Sequence, residues 1–344
     1  MNKLFILLFL LILGLVKIAS SPVGYELTPD NLQLFGHVRI GEVFDEIQVG
    51  PYIQNSIVNL YTENANGLLV TYNMSEGDNK IFGNIGGLIL GNNVASTNFT
   101  LSNNVLTSLD VDITTTGKLF IQGNSLIRTQ TTITVDGVLI VTQGTVLGYV
   151  SPAVISTELT LPILQISPSG TLVMVGQEFS VAKLINLDVS VLGGSVIADG
   201  FVILRNTSFH LSSLAEMDII RNGNSVICHA NQTSGNWIIS NSVATFREYH
   251  GDEWIKELGR NTKRSSWTVN CETTRLETSG LIRIKDSVEV TWNSPLELLD
   301  NSAELRVEDN SSVVFMSNTT VEGLLTVDPG AFISISPSAT FRQF

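Results

Sequence analysis

Residues 134–146 read TVDGVLIVTQGTV, and residues 320–332 read TVEGLLTVDPGAF, with six identities in thirteen positions. Inside both lies a five-residue phrase: a small residue, any residue, Leu or Ile, any residue, then Ile, Val or Met. It stands complete as Gly117-Lys118-Leu119-Phe120-Ile121, Gly137-Val138-Leu139-Ile140-Val141 and Gly170-Thr171-Leu172-Val173-Met174. It returns as Gly280-Leu281-Ile282-Arg283-Ile284, Ala303-Glu304-Leu305-Arg306-Val307 and Gly323-Leu324-Leu325-Thr326-Val327. Gly117 to Gly137 is 20 residues, as is Ala303 to Gly323; Gly280 to Ala303 is 23 and Gly137 to Gly170 is 33. Self-similarity at such a period marks stacked repeats.

Strand side chains alternate with period two, so Leu139 and Val141 share one face while Val138 and Ile140 share the other. The leading glycine suits a corner with positive φ, where a Cβ is strained. Corner chemistry also follows the strands, at Gly123-Asn124, Gln143-Gly144, Asp309-Asn310 and Pro329-Gly330. The reading is all-β: short strands turning at corners, stacked coil on coil as parallel strands about 4.8 Å apart. Leu139, Leu305 and Leu325 are expected inside, Val138 and Arg306 outside. An antiparallel sandwich also has short strands and frequent turns, but it gives no reason for one phrase to recur in one register.

The phrase with its polar corner resembles the repeats of right-handed parallel β-helices of the pectin-lyase-like class. In style it is closest to the passenger domains of bacterial autotransporter adhesins and haemagglutinins. The resemblance covers residues 66–341 loosely and implies a right-handed solenoid much more than an activity. The left-handed hexapeptide rule and the calcium-binding nonapeptide are both missing.

Residues 1–20 have the form of a secretory signal: Lys3, an apolar run over residues 4–16, then Ile18-Ala19-Ser20. The run is shorter than the ~20 apolar residues that cross a bilayer, so a retained anchor is the lesser reading. Residues 21–65 lack the phrase and are expected to cap the first coil. Coils are expected over residues 66–344 as one domain. An insertion interrupts them at 246–276, where 11 of 31 residues are charged. The last coil is either folded over by Phe341 and Phe344 or continued in a longer product.

Formal charge is −13 with only 15% charged residues, which favours solubility and disfavours nucleic acid or anionic lipid. The two cysteines, Cys228 and Cys271, suggest one disulfide in a secreted chain. It would close a loop of about 44 residues and contribute at most ~4 kcal/mol by chain entropy. Two separate buried thiols are the other reading. Six glycosylation sequons begin at Asn73, Asn98, Asn206, Asn231, Asn310 and Asn318, about the number chance supplies in a chain so rich in Asn, Ser and Thr. Some of them are expected to carry glycans.

Catalytic chemistry is thin. His37, His210, His229 and His250 lack metal-ligand spacing, and there is no GxSxG elbow, P-loop or HExxH. Polygalacturonases of the resembled class carry Asn-Thr-Asp, paired Asp, His-Gly and Arg-Ile-Lys. Here Arg283-Ile284-Lys285 and His250-Gly251 echo two of these elements; the acidic ones are missing. Asp110 and Asp112 share a strand face with nothing else acidic nearby in sequence, so they read as a solvated stripe unless neighbouring coils bring in distant residues. No catalytic, cofactor or metal residues are assigned. Thr129, Thr131 and Thr132 form a Thr-rich patch that does not repeat coil after coil, which argues against an ice-binding face.

The expectation is a secreted or cell-surface structural or adhesive solenoid with a glycan or protein partner and no membrane insertion once the signal is cleaved. If the chain has a recognition loop, it is expected in the insertion, on Tyr249, Trp254, Arg260, Lys263, Arg264 and Trp267, because aromatics beside charges suit contact surfaces. The other reading is a solvated loop whose Trp residues fold back onto the solenoid. The alternative is a carbohydrate-active β-helix enzyme, a polysaccharide lyase or hydrolase. Three or more carboxylates converging on one outer face would favour it.

Overall fold

The computed structural model describes residues 23–27, 38–40, 57–60, 68–73, 82–91, 93, 96–102, 105–149, 161–176, 181–200, 202–220, 226–228, 236–247 and 266–344. Among them every regular element is a strand and every strand pairing is parallel. No helix there is long and apolar enough to cross a membrane, which says nothing of a β-barrel.

The strands stack into a three-walled solenoid. The first wall is a sheet of twelve strands, including Gly117–Gln122, Val138–Thr142, Thr171–Val175, Ser195–Asp199 and, last, Leu324–Val327. An eighteen-stranded sheet supplies the other two walls. It forks at Val105–Ile113, a strand long enough to pair with both Leu126–Thr129 and Thr132–Val135 of the next coil. From there each coil runs first wall, corner, second wall, corner, third wall. Val138–Thr142, Thr145–Gly148 and Ile163–Ile166 make one such coil. Later in the chain a four-stranded sheet, Ser266–Val269 to Phe332–Ile335, continues the second wall.

Repeat phrases lie in register. Leu119, Leu139, Leu172 and Val196 are consecutive ladder partners, all pointing inward and fully buried. Similar apolar side chains thus stack at the strand spacing, where β-branched and Leu residues pack densely. Leu139 and Leu305 are buried as expected; Leu325 is only partly so, because its coil has a neighbour on one side. Phe341 packs against the core, but Phe344 is 78% exposed and folds over nothing.

The leading glycines have a different cause from the one expected. Gly117, Gly137, Gly170, Gly280 and Gly323 are not in the left-handed region. A Cβ on Gly137 would instead stand 2.2 Å from the carbonyl oxygens of Gly117 and Thr114, and one on Gly170 would stand 2.0 Å from that of Val135. Close approach of the preceding coil's backbone demands the missing side chain. Left-handed conformations fall at the corners, mostly on polar residues: Gln143, Asn186, Asn206, Asn241, Asp309 and Asn310. Corner side chains also bond coil to coil, as when Asn206 Nδ2 donates to Asn186 Oδ1 at 3.0 Å and Asn293 Nδ2 to Asn270 Oδ1 at 2.7 Å.

Strands fall inside two of the stretches expected to lack coils. Within 21–65, Val23–Leu27 pairs with the first wall, while Val38–Ile40 and Ile57–Leu60 pair with one another and onward to Phe82–Leu90. Those residues belong to the walls, and the rest of 21–65 lies outside the described residues. The interruption at 246–276 is narrower than its charge suggests. Val243–Arg247 is a first-wall strand, Ser266–Val269 a second-wall strand and Thr273–Leu276 a third-wall strand.

Candidate functional site

The outer face of the third wall brings hydroxyl, carboxylate and imidazole side chains together. Its strands Asp188–Leu192, Ser208–Ser212, Asn236–Ile239 and Thr273–Leu276 lie side by side, so alternate residues form outward ladders. Ser190, His210, Ile238 and Arg275 occupy one ladder. Between these strands lies an open groove of about 330 Å³ lined by Asp188, Ser190, His210, Ser212, Ser240 and Glu277 over Leu211 and Ile238. His210 Nε2 stands 3.8 Å from Asp188 Oδ1, both side chains well exposed. Hydroxyls, carboxylates and one imidazole around the outward side chain of Ile238 can exchange hydrogen bonds with a hydroxyl-rich or peptide ligand.

Earlier on the same wall, three carboxylates meet. Asp110 and Asp112 lie on Val105–Ile113, and Asp136 follows Thr132–Val135 one coil on. The Asp112 carboxyl is held above its ordinary range, first by burial and then by the charges of Asp136 and Asp110. The Thr131 hydroxyl donates to Asp110. Sequence spacing missed Asp136, which stands 24 residues beyond Asp112; only the coil register makes them neighbours. Among the described residues no group of His, Cys, Asp and Glu is arranged to hold a metal ion.

The Arg-Ile-Lys echo sits elsewhere, on the first wall. Arg283 and Arg306 are adjacent ladder partners, kept together by glutamates. Arg283 Nη2 lies 3.2 Å from Glu308 Oε1, and Arg306 makes a two-pronged pair with Glu304 at 2.8 and 3.0 Å. Thr326 Oγ1 also donates to Glu304 at 2.7 Å. Arg283 is thus occupied in a coil-to-coil ion ladder on the first wall, and His250 and Gly251 lie outside the described residues.

Of the recognition residues expected in the insertion, Tyr249, Trp254, Arg260, Lys263 and Arg264 lie outside the described residues. Trp267 is corrected: it is 1% exposed, an inward residue of Ser266–Val269. It packs edge-on against Phe246, which also meets Trp237 and Trp292 at 6.0–6.2 Å, while Trp237 and Trp292 stack at 5°. These rings fill the solenoid beside the insertion, each such pair adding about 0.5–1.5 kcal/mol beyond its area. Arg247 pairs with Asp218 and Arg275 with Glu297 on the outer walls.

Cys271 is buried after Ser266–Val269, and Cys228 ends Val226–Cys228 with its side chain outside the described residues. Among the sequons, Asn310 and Asn318 are exposed, whereas Asn98 and Asn206 are half-buried. The amide of Asn206 is engaged with Asn186. Asn73 ends Leu68–Asn73, its side chain outside the described residues, as is all of Asn231. No protein-family model, curated protein or solved structure matches this chain.

Proposed function

We propose that this protein is a secreted or cell-surface structural or adhesive β-solenoid of the right-handed, pectin-lyase-like kind, built in the style of adhesin passengers. Its third wall, together with the segment between Arg247 and Ser266, meets a glycan or protein partner. The observation that supports this most is the open polar groove over Leu211 and Ile238. Serine hydroxyls interspersed with ionisable groups suit reversible recognition of hydroxyls. Secretion rests on residues 1–20, glycosylation on the exposed Asn310 and Asn318, and a Cys228–Cys271 bond on the even cysteine count. A glycan array probed with wild type and with Ser190→Ala/Ser240→Ala tests the reading. Signals that fall at least tenfold in the variant support it, and an array blank for wild type removes the glycan half of it.

One observation favours a second reading as a carbohydrate-active enzyme: Asp110, Asp112 and Asp136 converge on one outer face. A carboxyl whose pKa is raised by burial and by neighbouring carboxylates is a candidate general acid. Reducing-end release from acidic and neutral polysaccharides, abolished in Asp112→Asn, would establish it; no release above an inert control would dismiss it.

A further inference from the structure

We infer that the second wall carries a binding face for a linear anionic glycan, one bearing sulfate or carboxylate groups. This goes beyond the third-wall reading above to a separate face, and rests on that reading only for the extracellular setting. Four successive second-wall strands, Leu126–Thr129, Thr145–Gly148, Ala182–Ile185 and Val202–Arg205, pair in unbroken register. Their outward residues form two ladders running along the solenoid axis. One is Leu126, Thr145, Lys183, Ile203; the other is Arg128, Leu147, Ile185, Arg205. Eight outward positions thus hold three cations, four aliphatic residues and one threonine, and no acidic residue. In a chain of net charge −13 this segregation sets the wall apart from its neighbours.

The cations are also unspent. Four arginines on the other walls are paired: Arg247 with Asp218, Arg275 with Glu297, Arg283 with Glu308, Arg306 with Glu304; Arg342, in the terminal coil, is not paired among the described residues. Among the described residues, Arg128, Lys183 and Arg205 make no ion pair. Arg205 is exposed, and Lys183 and Arg128 are half-buried. The Arg128 Nε–H is buried without an acceptor. A guanidinium with no carboxylate partner can donate from its outward nitrogens to an anionic ligand oxygen.

Geometry selects an extended polymer over a compact anion. Arg128 and Arg205 end one ladder three coil steps apart, roughly 14 Å at the strand spacing, with Lys183 one step from the Arg205 end. No single phosphate or sulfate spans that distance, whereas an extended chain with repeated anionic groups meets all three. Leu147, Ile185 and Ile203 lie between the cations as a flush aliphatic floor for sugar C–H faces. Net negative charge does not forbid the contact. At physiological ionic strength screening acts over about 8 Å, so acids on the other walls are largely damped at this face.

The test measures binding of sulfated and of carboxylated oligosaccharides, with neutral dextran as control, to the full chain over a range of salt. Lys183→Gln/Arg205→Gln is compared with Lys285→Gln/Arg342→Gln, which removes equal charge from other places. Circular dichroism checks that both variants are folded. The proposal expects anionic oligosaccharides to bind wild type and to lose at least tenfold in the first variant, with the salt slope falling by about two counterions. The second variant should stay within twofold. Equal losses in both variants, or binding confined to anionic lipid vesicles, overturn it. So does binding of neutral glycans alone, an outcome that leaves the adhesive reading standing; failure of every glycan and protein partner would remove that reading too.

Discussion

At the scale of single residues, the small-residue column leading each first-wall strand shows how tightly the coils are stacked. Ladder registers place Gly117, Gly137, Gly170, Gly194, Ala215, Ser242, Gly280, Ala303 and Gly323 in one line along the axis. Three members carry a Cβ, so the line requires smallness, and glycine only where a carbonyl crowds in. Sequence revealed the column but suggested the wrong cause, because a glycine before a strand looks the same whether it relieves φ or makes room. The two causes separate by experiment. Gly137→Ala should destabilise by about 1–3 kcal/mol, the usual cost of overpacking, read as a lower urea midpoint at unchanged m. A change below about 0.5 kcal/mol would mean that the preceding coil gives way easily. Polar corners behave in the opposite manner: Asn186 and Asn206 hold left-handed φ and bond to each other, so their identity is fixed by side-chain chemistry as well as by backbone.

At the scale of the strand and ladder, inward and outward faces were legible from period-two alternation, but the environment of the outward face was not. Alternation assigns a side; it does not say what else touches that side. Ile140, Val173 and Val175 occupy outward positions of the first wall yet are 8%, 5% and 2% exposed, clustered with Phe120, Val138 and Ile197. Val138 is therefore less free to become polar than a simple outward reading implies. Val173→Thr should cost about 1–2 kcal/mol, since the shape is kept and a hydroxyl is buried. Thr245→Val, on the same ladder among polar neighbours, should stay within about 0.5 kcal/mol. Equal effects in thermal or urea melts would show that the apolar cluster is ordinary surface. Further along, the same wall becomes an ion ladder. Burial opposes the charged form of Glu304, but hydrogen bonds from Arg306 and Thr326 and the charges of Arg306 and Arg283 outweigh it, holding its carboxyl below the ordinary range. A depressed folded pKa contributes stability that is present above the unfolded value and lost as pH falls through the folded one. Glu304→Gln should therefore cost at most about 1 kcal/mol at pH 7, given how exposed Arg306 is, and flatten the loss of stability below about pH 4.5. An unchanged acid limb in the variant would locate that sensitivity in other carboxylates.

At the scale of the whole molecule, the stacked-coil architecture was legible because every coil repeats the same local chemistry. The surfaces were not, because they are assembled from residues 20 or more positions apart. Asp112 meets Asp136, and Lys183 comes to lie between Arg128 and Arg205, only once three strands per coil are laid in register. The insertion misled for a related reason: charge density marked the neighbourhood, but Trp267 turned inward where an unpaired strand reading could not place it. Stability in such a molecule is close to a sum over coils and their nearest-neighbour interfaces. Among the described residues, the coil of Leu324–Val327, Phe332–Ile335 and Phe341–Gln343 pairs only with the coil before it. Its inward residues Leu325, Ile333 and Phe341 are only partly buried, and Phe332 is 68% exposed. The coil containing Val138–Thr142 is stacked on both sides. Local opening draws on few buried contacts at the former and many at the latter. Hydrogen exchange followed by mass spectrometry on dilute protein should therefore find amides of 324–343 exchanging at least about tenfold faster than those of 138–148. Equal protection at low concentration would mean that this end is covered within the single chain. Protection that rises with protein concentration would instead show that the open strand edges find a partner in solution, which low charge and exposed Leu324, Phe332 and Ile335 leave them free to do.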